Sequence, residues 1–477
     1  MPGSRDDTLF GRIADGLAQA IRSGALTSGE RLPSVRELAR RHGVSLSTAV
    51  QALRTLEDAR LVQARPRSGY FVAPRPRALP RPAESSPPRE SLLVERSTLA
   101  QFVLAKEADP AVTSFGLAYP GADLFDHTLL RKAVMRAAQR QGASLLHGAP
   151  GIGVEPLRRA IARHLLRLGS TVAPEGIVIT HGTLEAVTLA LRAVTQPGDV
   201  VAVESPSYAG LLHILEQLGL RALEIPTCPS EGLSLSALEL ALRTQPVKAL
   251  LCVPTLSNPT GACMAQTRRQ RLVRLLSTHG VPLVEDVVWN DLTETDAQRR
   301  TVHSHDAGGG TLLCGSFTKT LAPGLRLGFV ATGRWHARIQ GMKLATSGGQ
   351  TAVMEYALAD LLAQRGLEAH YRRLRQRIGA RMDETRELIA RHFPAGTRVT
   401  DPAGGYLLWL ELPGQVDTLA LLRHSLAEGI CFAPGAMFSA SDRFDHCLRL
   451  AVGANWDTRR RAALARIGAL ATRMGSG

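Results

Sequence analysis

Short apolar runs rich in β-branched residues alternate with helix-patterned stretches from residue 176 to residue 332, and no other feature restricts the fold of this chain as much. GIVIT (176–180) is followed by LEAVTLALRAVT, VVAVE (200–204) by YAGLLHILEQLG, and KALLCVP (248–254) by AQTRRQRLVRLLSTHG; VPLVED (281–286), TLLCGSF (311–317) and LGFVAT (327–332) come after. Strands recurring at this spacing with helices between them predict a mostly parallel α/β sheet with helices on both faces. Ligands of such sheets bind beyond the carboxyl ends of the strands. The last stretch, with GGYLLWLELP (404–413) and CLRLAVG (447–453), reads as a smaller α+β lobe.

The chain has 477 residues, enough for two or more domains. Residues 74–90, PRPRALPRPAESSPPRE, are nearly devoid of large apolar side chains and read as an extended, semi-rigid linker. The expected division is a head over 8–73, a linker over 74–105 and a body over 106–477. No apolar run is long enough to span a membrane, and the N-terminus lacks the apolar core of a signal peptide. The six cysteines form no C-x-x-C pair, which argues against a disulfide framework or a metal site and for a reducing cytoplasm. The net charge of +15 suits a polyanionic partner without identifying one.

The head has local signals of its own. In RLPSVRELARRHGVSLSTAVQALRTLEDARLVQARPRSGYFV (31–72), Ser34 is an N-cap with Glu37 placed for a capping box, and Gly43 is a left-handed stop. Ser45 caps a second helix whose apolar face is Ala49, Ala52, Leu53 and Leu56. Two short helices around a glycine turn make a helix-turn-helix, and the residues after them read as two short strands carrying a basic wing. Residues 1–80 hold 13 arginines against seven acidic residues. This pattern points to double-stranded DNA. Ser45, Ser47 and Thr48 sit at a helix N-terminus where hydroxyls and N–H groups meet phosphates or base edges, Arg36 and Arg40 reach the backbone, and Arg65 and Arg67 arm the wing. A helical protein-interaction module is the plainer alternative. The stretch from residue 8 to 73 resembles the winged helix-turn-helix of the GntR family of bacterial regulators. That resemblance implies DNA contacts at Arg36, Ser45, Ser47, Thr48, Ser68 and Gly69, and dimers on pseudo-palindromic operators.

In the body, candidates for a pyridoxal 5'-phosphate site fall in order along the chain. Such a site needs an amine, an acid for the pyridine nitrogen, a donor to the ring hydroxyl, a stacking ring, a phosphate cup and a carboxylate clamp. Lys319, one of only five lysines, comes just after TLLCGSF; Ser316 and Arg326 flank it and suit a phosphate dianion. HGT (181–183) opens a helix, so the N–H groups of Gly182 and Thr183 complete a cup. Asn258 in SNPTG offers an amide, Asp286 ends VED, Tyr208 in ESPSY offers a ring, and Arg449 in CLRLAVG offers a bidentate clamp. Singly each has a bland reading: cap, core ring, turn, surface ion pair or solvated lysine.

The body, from about residue 110 to 475, resembles fold-type-I aminotransferases, and with the head it resembles MocR-type regulators. The fold implied is multidomain: an N-terminal winged helix-turn-helix (α+β) plus an α/β pyridoxal-phosphate-dependent transferase fold with a smaller C-terminal α+β lobe. The resemblance implies an internal aldimine at Lys319, Asp286 on the pyridine nitrogen, Asn258 on the ring hydroxyl, Tyr208 stacked, and Gly182, Thr183, Ser316 and Arg326 on the phosphate. Arg449 would take a substrate carboxylate. Two positions depart from the family pattern. Trp289 stands where a tyrosine is usual, and an indole N–H donates but neither accepts nor ionises. His147 stands where a tyrosine usually reaches the neighbouring subunit's phosphate.

Three functions are compatible with this pattern. The first is a homodimeric transcriptional regulator that senses an amino acid or vitamer through the aldimine at Lys319. The second is a working aminotransferase with an accessory head, and the third is an effector-binding module without cofactor. The recognition helix and basic wing favour the first.

Overall fold

The computed structural model describes residues 8–65, 68–73, 79–95, 97–147, 151–364, 366–414, 416–441 and 443–475. It divides into two compact units, Met1–Ala78 and Leu79–Gly477.

The first unit packs three helices, Leu9–Ser23, Val35–His42 and Leu46–Asp58, against the antiparallel strands Val62–Arg65 and Gly69–Val72. Ser34 Oγ accepts from the Glu37 N–H at 3.2 Å, Gly43 takes φ +62°, and Ser45 Oγ accepts from the Thr48 N–H at 3.1 Å. The expected capping box is half formed, because the Glu37 carboxylate turns to Arg41 at 3.3 Å. Ala49, Ala52, Leu53 and Leu56 are buried as their spacing predicts.

The second unit begins earlier than the sequence suggests. Most of the expected linker over 74–105 belongs to the body. The Thr227 N–H donates to Ser85 Oγ at 2.9 Å, the Val399 N–H donates to Pro80 O at 2.8 Å, and Leu92–Leu93 pairs antiparallel with Arg221–Ala222. Helix Ser97–Glu107 then buries Val103. A proline-rich segment cannot form a core, but its extended backbone can bond along the edge of one, and Leu92 and Val94 anchor the residues just beyond it.

The main sheet runs in the order Leu92–Leu93, Arg221–Cys228, Val200–Ser205, Val247–Cys252, Leu283–Asp286, Thr311–Ser316, Gly328–Ala331, Ile177–Thr180. Neighbours from Arg221–Cys228 to Thr311–Ser316 are parallel; Gly328–Ala331 is antiparallel to both of its neighbours. Alternate side chains serve opposite faces. Val201, Val203, Ala249 and Leu251 pack with helices Gly182–Val194 and Ala209–Gln217. Val200, Ala202, Leu250 and Cys252 pack with Leu235–Thr244 and Gln266–His279. The smaller lobe is a four-stranded sheet ordered Arg398–Val399, Leu407–Glu411, Cys447–Ala451, Ala433–Pro434. Among the described residues no helix is long and apolar enough to cross a membrane.

Candidate cofactor site and nucleic-acid interface

Because Ile177–Thr180 is antiparallel to Gly328–Ala331, which is itself antiparallel to Thr311–Ser316, it ends at the same edge as the parallel strands. At that edge lies an open cavity lined by Tyr119, Thr183, Leu184, Tyr208, Val253, Asn258, Asp286, Val288, Trp289, Thr318, Lys319 and Arg326. Sequence candidates more than a hundred residues apart therefore share one space.

One end of the site is a cluster of hydroxyls. Thr183 Oγ1 donates to Ser316 Oγ at 2.8 Å, and Ser316 Oγ lies 2.9 Å from Thr318 Oγ1. Gly182 opens the helix Gly182–Val194 at φ +76°, and a Cβ there would stand 3.5 Å from Arg326 Nη2. A Cβ on Gly328 would come within 2.5 Å of the Gly182 carbonyl carbon, so the two backbones touch and bring the helix start against the strand. Hydroxyls, helix N–H groups and a guanidinium converging on one point fit a phosphate dianion.

The other end is acidic. Asp286 closes its strand, is buried, and accepts from the Val288 N–H at 2.9 Å. Burial pushes its carboxyl up to about 7, against the pull of Lys319. Lys319 Nζ donates to Ala118 O at 2.6 Å and lies over the rings of Tyr119 (4.5 Å) and Trp289 (5.4 Å). Burial, then the Arg449 guanidinium, lower its amine to about 7, with Asp286 opposing. A neutral amine fraction at physiological pH is what a nucleophilic lysine requires.

Arg449 is buried on Cys447–Ala451; Nη1 donates to Asn258 Oδ1 at 3.1 Å and Nη2 donates to Gly116 O. His147 is exposed and is not among the cavity's lining residues. Sequence reasoning missed Tyr119, in the short run GLAYPG, and Tyr406, whose hydroxyl donates to Ala118 O at 3.0 Å and whose ring meets Trp289 edge-on at 4.9 Å. The two adjoining glycines before Tyr406 were the available signal.

In the head, Arg36, Arg40, Ser45, Ser47, Arg65, Ser68 and Gly69 are exposed and Thr48 is half-buried. Ser45 Oγ lies 2.7 Å from Ser47 Oγ and 2.8 Å from Thr48 Oγ1, and the Arg65 guanidinium stacks over Phe71 at 4.4 Å. Arg67 lies outside the described residues.

Residues 121–467 match the family described as aminotransferase class I and II, and residues 9–72 match the bacterial regulatory proteins of the gntR family. This chain belongs to the MocR-type regulators, a gntR-type head on a class I/II aminotransferase body. It is 37% identical to the HTH-type transcriptional regulator YjiR of Escherichia coli over 97% of this chain and 98% of that one. It is 36% identical to YdcR of the same organism, again over 97% and 98%. The body is similar to the α-aminoadipate aminotransferase LysN of Thermus thermophilus, complexed with N-(5'-phosphopyridoxyl)-L-leucine, at 27% identity and TM-score 0.71 over 81% of this chain and 96% of that one. The cofactor of a MocR-type body is pyridoxal 5'-phosphate, and the donor set here, with hydroxyls and Arg326 at one end, Asp286 at the other and Lys319 in the same cavity, fits it.

Proposed function

We propose that this chain is a cytoplasmic, homodimeric DNA-binding regulator that holds pyridoxal 5'-phosphate at Lys319 and senses a small amine bearing a carboxylate. The observation that carries the reading is the Lys319–Asp286 pair in one cavity of a chain that also presents a capped, hydroxyl-rich recognition helix. Gly182, Thr183, Ser316 and Arg326 would hold the phosphate, Asp286 the pyridine nitrogen, Asn258 the ring hydroxyl and Tyr208 the ring face. Bound pyridoxal phosphate supplies an aldehyde that condenses with primary amines and a ring that withdraws electrons. Lys319 offers its lone pair at Nζ, and Asp286 holds or shares the proton at its carboxylate. Arg449 takes the effector's carboxylate by turning from Asn258 and Gly116 O, and His147 reaches toward the second subunit.

In the head, Ser45, Ser47 and Thr48 meet base edges or phosphates, while Arg36, Arg65, Ser68 and Gly69 track the backbone. A dimer places two heads for two half-sites. The test is selection from random-sequence DNA with the full-length protein, with and without cofactor and an amino-acid panel. A defined site whose affinity responds to an amino acid, with the response lost in Lys319→Ala, supports the reading. No sequence preference under any condition rejects it.

A second reading, a working aminotransferase, is favoured by the completeness of Lys319, Asp286, Asn258 and Arg449. Turnover of an amino acid with a 2-oxo acid at rates of dedicated enzymes would support it.

A further inference from the structure

Glu107 ends helix Ser97–Glu107 and is 8% exposed, yet neither carboxylate oxygen has a hydrogen-bond partner among the described residues. Glu224 and Glu285, also buried, are satisfied. Glu224 accepts from Ser439, Ser441 and the Ala440 N–H, and Glu285 accepts from the N–H groups of Val302 and His303. The Ser114 hydroxyl, the Gly116 N–H and the Cys431 thiol face it without reaching good hydrogen-bond geometry. An under-bonded buried carboxylate is costly, so its presence calls for a charge nearby.

That charge is Arg449. Both side chains lie against Gly116. Any side chain at Gly116 would collide with Glu107 Oε1, while the Gly116 carbonyl accepts from Arg449 Nη2. Arg449 is 3% exposed, and its Nε has no partner among the described residues. After burial, Glu107 is the largest influence on the guanidinium.

We propose that Glu107 is the internal counter-charge of Arg449, a positioning residue that sets how strongly the site takes a ligand carboxylate. The proposal rests on the reading of Arg449 as the carboxylate clamp. An ionised Glu107 and a ligand carboxylate compete for one buried positive charge, so ligand binding favours the protonated acid and draws a proton into the site. Burial holds the Glu107 carboxyl at about 7, against the pull of Arg449, which puts the competition in the physiological range. The other groups facing Glu107 are the Arg460 guanidinium from the C-terminal helix, the Cys431 thiol and the Ser114 hydroxyl.

The experiment uses the full-length holoprotein and acetate as probe, read by cofactor absorbance and tryptophan fluorescence at constant ionic strength. In the wild type the acetate Kd rises about tenfold between about pH 6 and pH 8, and E107Q binds at the upper pH as tightly as the wild type at the lower. A wild-type Kd that is flat with pH, or a slope unchanged in E107Q, overturns the proposal. Loss of acetate binding in Arg449→Met with no effect of E107Q leaves the clamp standing and removes only the counter-charge. Acetate binding unaffected by Arg449→Met, or absent from the wild type, removes the clamp itself. If E107Q does not fold, Glu107→Asp keeps the charge and must keep the slope, and the wild type must take up protons when acetate binds near pH 7.

Discussion

Lys319 Nζ and the Tyr406 hydroxyl donate to the same carbonyl oxygen, that of Ala118, at 2.6 and 3.0 Å. The shared acceptor couples the two side chains. In the cofactor-free protein, Tyr406→Phe leaves the carbonyl to the lysine alone, and Lys319→Ala leaves it to the tyrosine. Each is expected to cost about 1 kcal/mol in hydrogen bonding, while the double variant loses more than the sum, because only then is a buried carbonyl left unpaired. Urea denaturation of the four proteins measures the coupling; strict additivity would contradict it.

The same site makes stability depend on pH with a definite sign. Asp286 rises from 3.8 to about 7 in the folded state, so between those values the folded state binds more protons and stability falls as pH increases. Lys319 falls from 10.5 to about 7, so between about 7 and 10.5 the unfolded state binds more protons and stability recovers. The cofactor-free protein is therefore expected to have a stability minimum near neutrality from this pair. The two limbs are each on the order of 4 to 5 kcal/mol. Glu107, Glu204 and Glu355 are raised to about 7 or 8 as well and share the falling limb. Thermal melts across this range should therefore show a shallower falling limb in Asp286→Asn and a shallower rising limb in Lys319→Met.

For the head, Arg65 and Ser47 separate positioning from recognition. Arg65 is exposed and pre-oriented over Phe71. Arg65→Ala is expected to weaken binding evenly across DNA sequences and to reduce the slope of log affinity against log salt by about 1. Ser47→Ala, at the N-terminus of the second helix, should instead change preference at one or two base pairs. Fluorescence anisotropy on a selected site and its point variants distinguishes the two outcomes.

What could be read from the sequence divides along the range of the interactions. Ser34, Gly43 and Ser45 act within four residues of themselves, so two of the head's three helices were readable with their caps, while Leu9–Ser23 was not read. Lys319, Asp286, Asn258 and Tyr208 meet in one cavity because each lies at or just after the end of a strand, and parallel strands deliver their carboxyl ends to one edge. The antiparallel pairing of Gly328–Ala331 with Thr311–Ser316 fits the short connection between them, but its pairing with Ile177–Thr180, about 150 residues away, leaves no local trace. Glu107 was invisible for the same reason: its meaning lies in Gly116 and Arg449, and its own surroundings read as an ordinary helix end. The linker was misjudged because proline content reports on regular structure and not on whether an extended backbone finds donors on a neighbouring surface.

Trp289 lines the cavity beside Lys319 and is the substitution to test for its effect on turnover. Its indole lies 5.4 Å from Lys319 Nζ and meets Tyr406 edge-on, at the position where aminotransferases usually carry a tyrosine. An indole N–H only donates, whereas a phenol donates, accepts and ionises. Trp289→Tyr supplies a hydroxyl to the same wall of the cavity. If the tryptophan is what restrains catalysis, this variant should transaminate about tenfold faster, the worth of one hydrogen bond to a charged group, and should shift the pH titration of the cofactor's visible absorbance. Its DNA affinity in the absence of effector should not change, because the substitution lies within the body. An unchanged rate together with a shifted absorbance titration would instead place the limit on turnover elsewhere in the site, with the Glu107–Arg449 pair the next position to vary.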